Sequence, residues 1–452
     1  MMETNRLKAK TKFSFGICDL GGNLFFTLMG FWSLKYLTDI AGLAAALAGI
    51  AVMAGKVWDA VTDPMMGYIS DRTLSRWGRR RPYLLFGSIP LMLSMWLFFS
   101  APNAASPVML AVWACFALML LNTAMTVINI PYNSLTPELT DDYHERSSLN
   151  GYRFGCAVFG TILGAALVLP LVNIFAGFKQ NDSDSLKFGW SMTGLLMGAV
   201  VAITTLFTFF GVREKPHAKA DLPVKSFFAT YKSVFQNGPY VKLLLTYGLN
   251  IMGLNFLQTI LAYYTEYVYL RPDITPVAMI ILLLTAMVCI PLSVLVSKKT
   301  GKKLAYQITF AVLASACLVI FFLGGKLGPN FFLGMMVYAG IGLGFGYVAP
   351  FAMVPDAVDY GAARYGEGDE GAYYGIWTFV SKLGISFSVF VSGLILSAGG
   401  YIANVAQSAS AITAIKLIIG PIPALILLGA MLLIETYPLD EKAVNELKDA
   451  RK

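Results

Sequence analysis

Two aspartates stand four residues apart in "WDAVTDPMMGYISDRTLSRWGRRRP", the stretch from Trp58 to Pro82. On a helix, positions i and i+4 lie one above the other, so the carboxylates of Asp59 and Asp63 share a face. The residues before them, "GLAAALAGIAVMAGKV", have the composition of a membrane span. An ionisable side chain at the centre of a span costs about 2.5–3.5 kcal/mol on insertion scales, and it marks function by default. Two like charges raise each other's proton affinity unless a cation sits between them. Thr62 adds a hydroxyl oxygen to that face, and such a cluster of hard oxygens suits Na+, Li+ or a shared proton. The bland alternative is an ion pair of one aspartate with Lys56 or Arg153 for packing alone. Two carboxylates would be an expensive way to pack a helix.

Further charges fall inside apolar stretches. Lys382 sits deep in "WTFVSKLGIS", Arg153 near the start of another run, and Asp19 in "GICDLGGN". A lysine that pairs with the aspartates when no cation is bound, and is displaced when one binds, would couple ion occupancy to conformation. The arginine burst directly follows the aspartate pair. There Asp71 is expected to pair with Arg72 or with a neighbouring helix end, as part of a gate that closes in one state and opens in another. Glu138, Asp141, Asp356 and Asp359 lie at the same membrane face and are candidate gate partners. "KKTGKK" (298–303) reads as a topology anchor alone.

The wider elements must hold these groups in place. The chain has 452 residues, 57% apolar and only 13% charged. A soluble domain carries about 25% charge. This composition is that of a polytopic all-α membrane protein. Its first partner is then the lipid bilayer, and a monovalent cation is expected at the aspartate pair and a small-molecule substrate from the architecture and resemblance below, with no nucleic acid and no cofactor. Five cysteines fall within apolar stretches and read as packing residues, and the two histidines lie in polar loops. That leaves no histidine-based metal chemistry and no nucleophile–base–histidine set within the spans, so an enzyme is not expected. "GIGLGFG" (340–346) lies inside a span, where helix packing explains it better than nucleotide binding.

Apolar runs of membrane length number about twelve between residues 13 and 435. An even number puts both termini on one side. Most of the 34 lysines and arginines fall in the tails and in loops after even-numbered runs, which makes that side cytoplasmic. The expected location is the cell (inner) membrane. The longest polar stretch, 212–240, divides the chain into a six-helix bundle at 1–211 and a second at 241–452. The halves echo each other: "RWGRRR" answers "KKTGKK", and "NIPYNSLTPEL" answers "VAPFAMVPDAV", each pair about half a chain apart. Two parallel six-span halves are the major-facilitator fold, with the substrate held near mid-membrane. Rocking halves with central charges fit this pattern better than a channel does.

The stretch 58–82, with "KYLTDIAGL", "NIPYNSLTPE", "GYRFG", "PDAVDYG" and "YYGIWTFVSKLG" in order, resembles the glycoside–pentoside–hexuronide:cation symporter family over the whole chain. The resemblance implies a Na+-, Li+- or H+-coupled symporter, taken here as a monomer. It implies Asp59 and Asp63 as cation ligands, Thr126 as a further one, and Lys382 as the coupling residue. Arg153, Trp377 and Thr378 match positions lining the family's substrate site. The melibiose permease branch has acidic residues where this chain has Asn23 and Asn129, and a tryptophan where it has Asn133. Amides still offer donors and acceptors to sugar hydroxyls, but the pattern is not a galactoside site. With Asp19 these residues make the expected substrate set. A cation-coupled lysolipid transporter of the same superfamily is the runner-up.

Overall fold

The structure, a computed structural model, describes residues 7–103, 106–139, 143–178, 182–214, 234–365 and 370–439. Among them every regular element is a helix. Hydrocarbon demands this, because a helix satisfies its own backbone N–H and C=O groups without water. The chain forms two compact units, Met1–Ala220 with Ile402–Val405, and Asp221–Tyr401 with Ala406–Lys452.

In the first unit the helices are α1 (Ala9–Lys35), α2 (Ala45–Arg72), α3 (Arg81–Phe98), α4 (Pro107–Leu139), α5 (Tyr143–Ala166), α6 (Val168–Phe175) and α7 (Ser183–Gly211). α1 packs on α5 and α7, α2 on α4, and α3 on α4 and α7. α5 and α6 follow each other with a bend of 48° between them. Pro170 explains the break: it has no N–H for the Ala166 carbonyl, and its ring would clash with that oxygen. The rings of Phe99 and Trp190 stack at 5.5 Å, and Tyr36 meets both.

Among the described residues α1 and α5 approach to backbone contact. A Cβ on Gly160 would lie 2.0 Å from the Leu20 carbonyl oxygen, and one on Gly164 2.6 Å from that of Leu24. Small residues let membrane helices approach to backbone contact. Between α2 and α4, a Cβ on Gly55 would meet both Asn122 Nδ2 and Leu118 Cβ at 3.0 Å. These two approaches decide which side chains can reach each other.

The second unit holds α8 (Gly238–Tyr263), α9 (Ile274–Thr300), α10 (Lys302–Val319), α11 (Gly325–Tyr365), α12 (Glu370–Ala398), α13 (Ala409–Ile419) and α14 (Pro421–Glu435). The side chain of Asn237 caps α8, accepting from the Tyr240 N–H at 3.1 Å, and so satisfies one of the donors a helix start leaves open. α8 packs on α12 and α14, α9 on α11, and α10 on α11 and α14. π-helical turns end both α1 (Tyr36–Ile40) and α8 (Tyr264–Val268), the spans that open the two halves. A third, Ile320–Gly324, ends α10.

Each of the twelve expected runs coincides with helix. Nine described helices are long and apolar enough to cross a membrane, or ten with the bent α5–α6 pair. One of these, Lys302–Arg364, holds two spans, because Gly328 takes φ +80° just before Pro329 and turns the chain there. α3 completes the set; its polar start at Arg81 and its 18-residue length explain its weaker signal. The last span is broken at Gly420, ahead of Pro421.

Gly160→Ala should lower the melting temperature of the detergent-purified protein, because overpacking against backbone costs about 1–3 kcal/mol. Gly151→Ala, where nothing lies within 4 Å of the added Cβ, should leave it unchanged or slightly higher. Equal melting temperatures for the two variants would refute the α1–α5 contact.

Candidate cation and substrate sites

α2 carries Asp59, Thr62 and Asp63 on one face, and α4 carries Leu118, Asn122 and Thr126 at four-residue spacing along one of its own. The close approach at Gly55 joins these faces. The Thr126 hydroxyl oxygen lies 2.7 Å from Asp59 Oδ1 and 2.9 Å from Asp63 Oδ1. One hydroxyl proton therefore serves two converging carboxylates. Asp59 is 4% exposed and Thr126 3%, so both sit where charge interactions are weakly screened. The Thr62 hydroxyl donates to the Asp59 carbonyl at 3.2 Å, which holds its oxygen beside the pair. Pro64, inside α2, has no N–H to offer the Ala60 carbonyl, so that oxygen lacks its usual helical donor. Sequence reading missed this main-chain oxygen, although the Asp-Pro dipeptide signals it. The arrangement can hold a hard monovalent cation or a proton.

A second network spans α1, α4 and α5. Arg153 Nε donates to Asp19 Oδ2 at 2.5 Å and Nη2 to Asp19 Oδ1 at 3.3 Å. Nη2 also reaches Asn133 Oδ1 at 2.7 Å. The Asn133 amide donates to Asn129 Oδ1 at 3.0 Å, and the Asn23 amide to the Asp19 carbonyl at 2.9 Å. The Tyr132 hydroxyl donates to Asp19 Oδ2 at 2.6 Å. The guanidinium lies 5.0 Å from the Tyr132 ring centroid and 5.5 Å from that of Phe15, within cation–π range. Arg153 thus has its partner in Asp19. Tyr132 and Phe15 were not singled out from sequence, and among so many apolar-run aromatics nothing distinguished them.

In the second unit Trp377 is buried and stacks on Tyr247 with centroids 4.0 Å apart and planes at 16°. One residue on, Thr378 is exposed and its hydroxyl donates to the Tyr374 carbonyl at 3.0 Å. Lys382, half-buried, lies four residues further along the same face of α12.

Asp71 was expected to meet Arg72 or a neighbouring helix end, and the structure has the second, the N-cap of α3. Asp71 pairs with Arg80 at 3.0 Å, while the Arg72 guanidinium sits 3.6 Å from the Tyr68 ring centroid. Consecutive helical residues point in different directions, so an Asp71–Arg72 pair is disfavoured. Lys302 of "KKTGKK" forms an ion pair with Asp356 and donates to the Ala352 carbonyl at 2.9 Å, so this stretch is more than an anchor. Asp359 is exposed. The Glu138 side chain and Asp141 lie outside the described residues. Two further features went unread: Glu214, which accepts from the main-chain N–H groups of Arg79 and Arg80 at 3.0 Å each, and the buried Lys35–Asp39 pair at 2.5 Å. An acid beyond span six and a Lys/Asp spacing of four were their signals.

Residues 14–441 match the family described as MFS/sugar transport protein. The chain belongs to that family. This MFS transporter is 30% identical to an isoprimeverose transporter of Lactiplantibacillus pentosus, over 92% of this chain and 86% of that one. It is 28% identical to the sodium-dependent lysophosphatidylcholine symporter 1-A of Danio rerio, over 92% and 83%. Its fold matches the xylose transporter XylE of E. coli with a TM-score of 0.65, covering 96% of this chain and 98% of that one at 16% identity.

Thr126→Val should weaken cation affinity by about tenfold or more, since it removes a hydroxyl oxygen that can ligate a hard cation and orients both carboxylates. Thr126→Ser should retain most of it. Equal affinities in both variants, measured by isothermal titration with Na+ or Li+, would remove Thr126 from the site.

Proposed function

We propose that this multi-pass membrane transporter couples the movement of a monovalent cation to that of a glycoside or related sugar. The observation that carries the reading is the convergence of Asp59 and Asp63 on the Thr126 hydroxyl. Two carboxylates in hydrocarbon favour a bound Na+, Li+ or H+, and occupancy then biases which conformation is stable. The amide-rich network of Asn23, Asn129 and Asn133 with Asp19 and Arg153 supplies donors and acceptors suited to sugar hydroxyls. Trp377 and Thr378 are assigned to the same substrate, and Lys382 to coupling. Asp71, Arg72, Glu138, Asp356 and Asp359 are assigned to the cytoplasmic gate. The transporter acts as a monomer with both termini on the cytoplasmic face of the cell membrane.

The sodium-dependent lysophosphatidylcholine relative supports cation coupling and also keeps a lysolipid substrate in view. The amide network favours the sugar. Uptake into proteoliposomes of labelled glycosides and lysolipids, under an imposed Na+, Li+ or H+ gradient, separates the two.

Asp59→Cys and Asp63→Cys should each abolish gradient-driven accumulation, because removing one carboxylate removes half of the site's charge. Undiminished accumulation in both would overturn the cation assignment. Lys382→Val should keep weak substrate binding but lose its dependence on cation concentration. An unchanged affinity ratio between low and high cation would leave Lys382 a packing residue.

Orientation has its own check. Cysteines placed at Ser75 and Thr300 should escape a membrane-impermeant maleimide applied to intact cells and react after permeabilisation. Labelling from outside would invert the topology.

A further inference from the structure

We infer that Asp19 sets the charge class of the substrate: by neutralising Arg153 it fits the network to an uncharged polyhydroxyl ligand and rejects one bearing a carboxylate or sulfonate. This rests on the sugar-symport reading above.

An arginine beside amides is ordinarily an anion receptor, because its planar fork accepts a carboxylate through two parallel N–H donors. Here the fork is filled from within. Nε and Nη2 of Arg153 both reach the Asp19 carboxylate, at 2.5 and 3.3 Å, in the position that a ligand carboxylate would occupy. Asp19 is held from the protein side as well. Its Oδ2 also takes the Tyr132 hydroxyl at 2.6 Å, and Tyr132 is only 2% exposed. Both side chains of the ion pair are themselves mostly covered, at 19% and 17% exposure. The backbone contact of α1 with α5 at Gly160 and Gly164 keeps the two helices at the spacing the pair needs.

An anionic ligand therefore meets a carboxylate where it needs a guanidinium. To gain Arg153 it must displace Asp19 and leave that charge unpaired in a weakly solvated place. A neutral ligand faces no such cost. The donors run in one direction, from Arg153 Nη2 to Asn133 and from the Asn133 amide to Asn129. The Asn129 amide NH2 ends that chain with no protein acceptor among the described residues, and a ligand hydroxyl can take it.

The test compares each methyl glycoside of glucose and galactose with its methyl uronate, which differs only in carrying a carboxylate at C6. Inhibition constants are read by competition against cation-driven uptake in proteoliposomes, and binding is read separately as the melting-temperature shift of purified protein. Wild type should prefer the neutral member by about tenfold or more. Asp19→Asn, which leaves Arg153 without its carboxylate, should move that ratio toward the uronate by about tenfold or more. Asp19→Asn/Arg153→Gln, which restores neutrality, should return the preference to the neutral glycoside. A loss of packing alone would weaken both ligands alike and leave the ratio fixed. The inference is overturned if wild type binds the uronates as well as the glycosides, if Asp19→Asn leaves the ratio unchanged, or if the double variant favours uronates. Should Asp19→Asn fail to fold, the wild-type ratio and the double variant decide. Failure of the sugar-symport reading looks different: wild type accumulates and binds neither member of any pair, and the inference falls with it.

Discussion

Hydrocarbon does not tolerate an unanswered charge, and the placement of groups in this transporter follows from that constraint. Within the first unit the buried ionisable residues are met in two distinct ways. Lys35 with Asp39, Lys12 with Glu145 and Arg153 with Asp19 form pairs of opposite sign, each neutral as a unit. Asp59 and Asp63 instead converge on a neutral hydroxyl. The first kind is settled inside the protein. The second gathers two carboxylates around one hydroxyl, and on the reading proposed above a cation or proton is the species it receives.

Backbone proximity makes both arrangements possible. Glycine at position 55 brings α2 against α4, so that a threonine 63 residues beyond Asp63 supplies the shared donor. Glycines at 160 and 164 bring α5 against α1, so that an arginine reaches an aspartate 134 residues earlier. A side chain at any of these positions would widen the contact and unpair the polar groups next to it. Packing and electrostatics are therefore one design here: the small residues set the distances that the charged ones require.

At the ends of the spans the charges do different work. Asp71 with Arg80, Glu214 at the start of α3, and Lys302 with Asp356 each tie a helix end to a neighbouring segment within its own unit. These groups lie near the membrane surface, where an ion pair is cheaper to break than in the centre. That is where the proposed conformational cycle would make and break contacts.

The sequence by itself determined the helical class, the twelve spans and the aspartate pair, because apolar run length and helical periodicity are local properties that a single chain displays directly. It also exposed the duplication, which the structure repeats in the π turns that end α1 and α8. Only the tertiary structure decided who pairs with whom. Arg153 was weighed as a partner of Asp59 or Asp63, and it pairs with Asp19. Asp71 had its neighbour Arg72 or a neighbouring helix end, and it takes Arg80 at the start of α3. Thr126 was suggested through family resemblance alone until its hydroxyl was seen between the two carboxylates. Tyr132 carried no sequence mark at all, and Glu214 only that of an acid just beyond a span. The reason is common to all of them: a pairing between helices depends on the rotation and separation of two cylinders, and those are set by contacts far apart in the chain, which no local pattern of residues records.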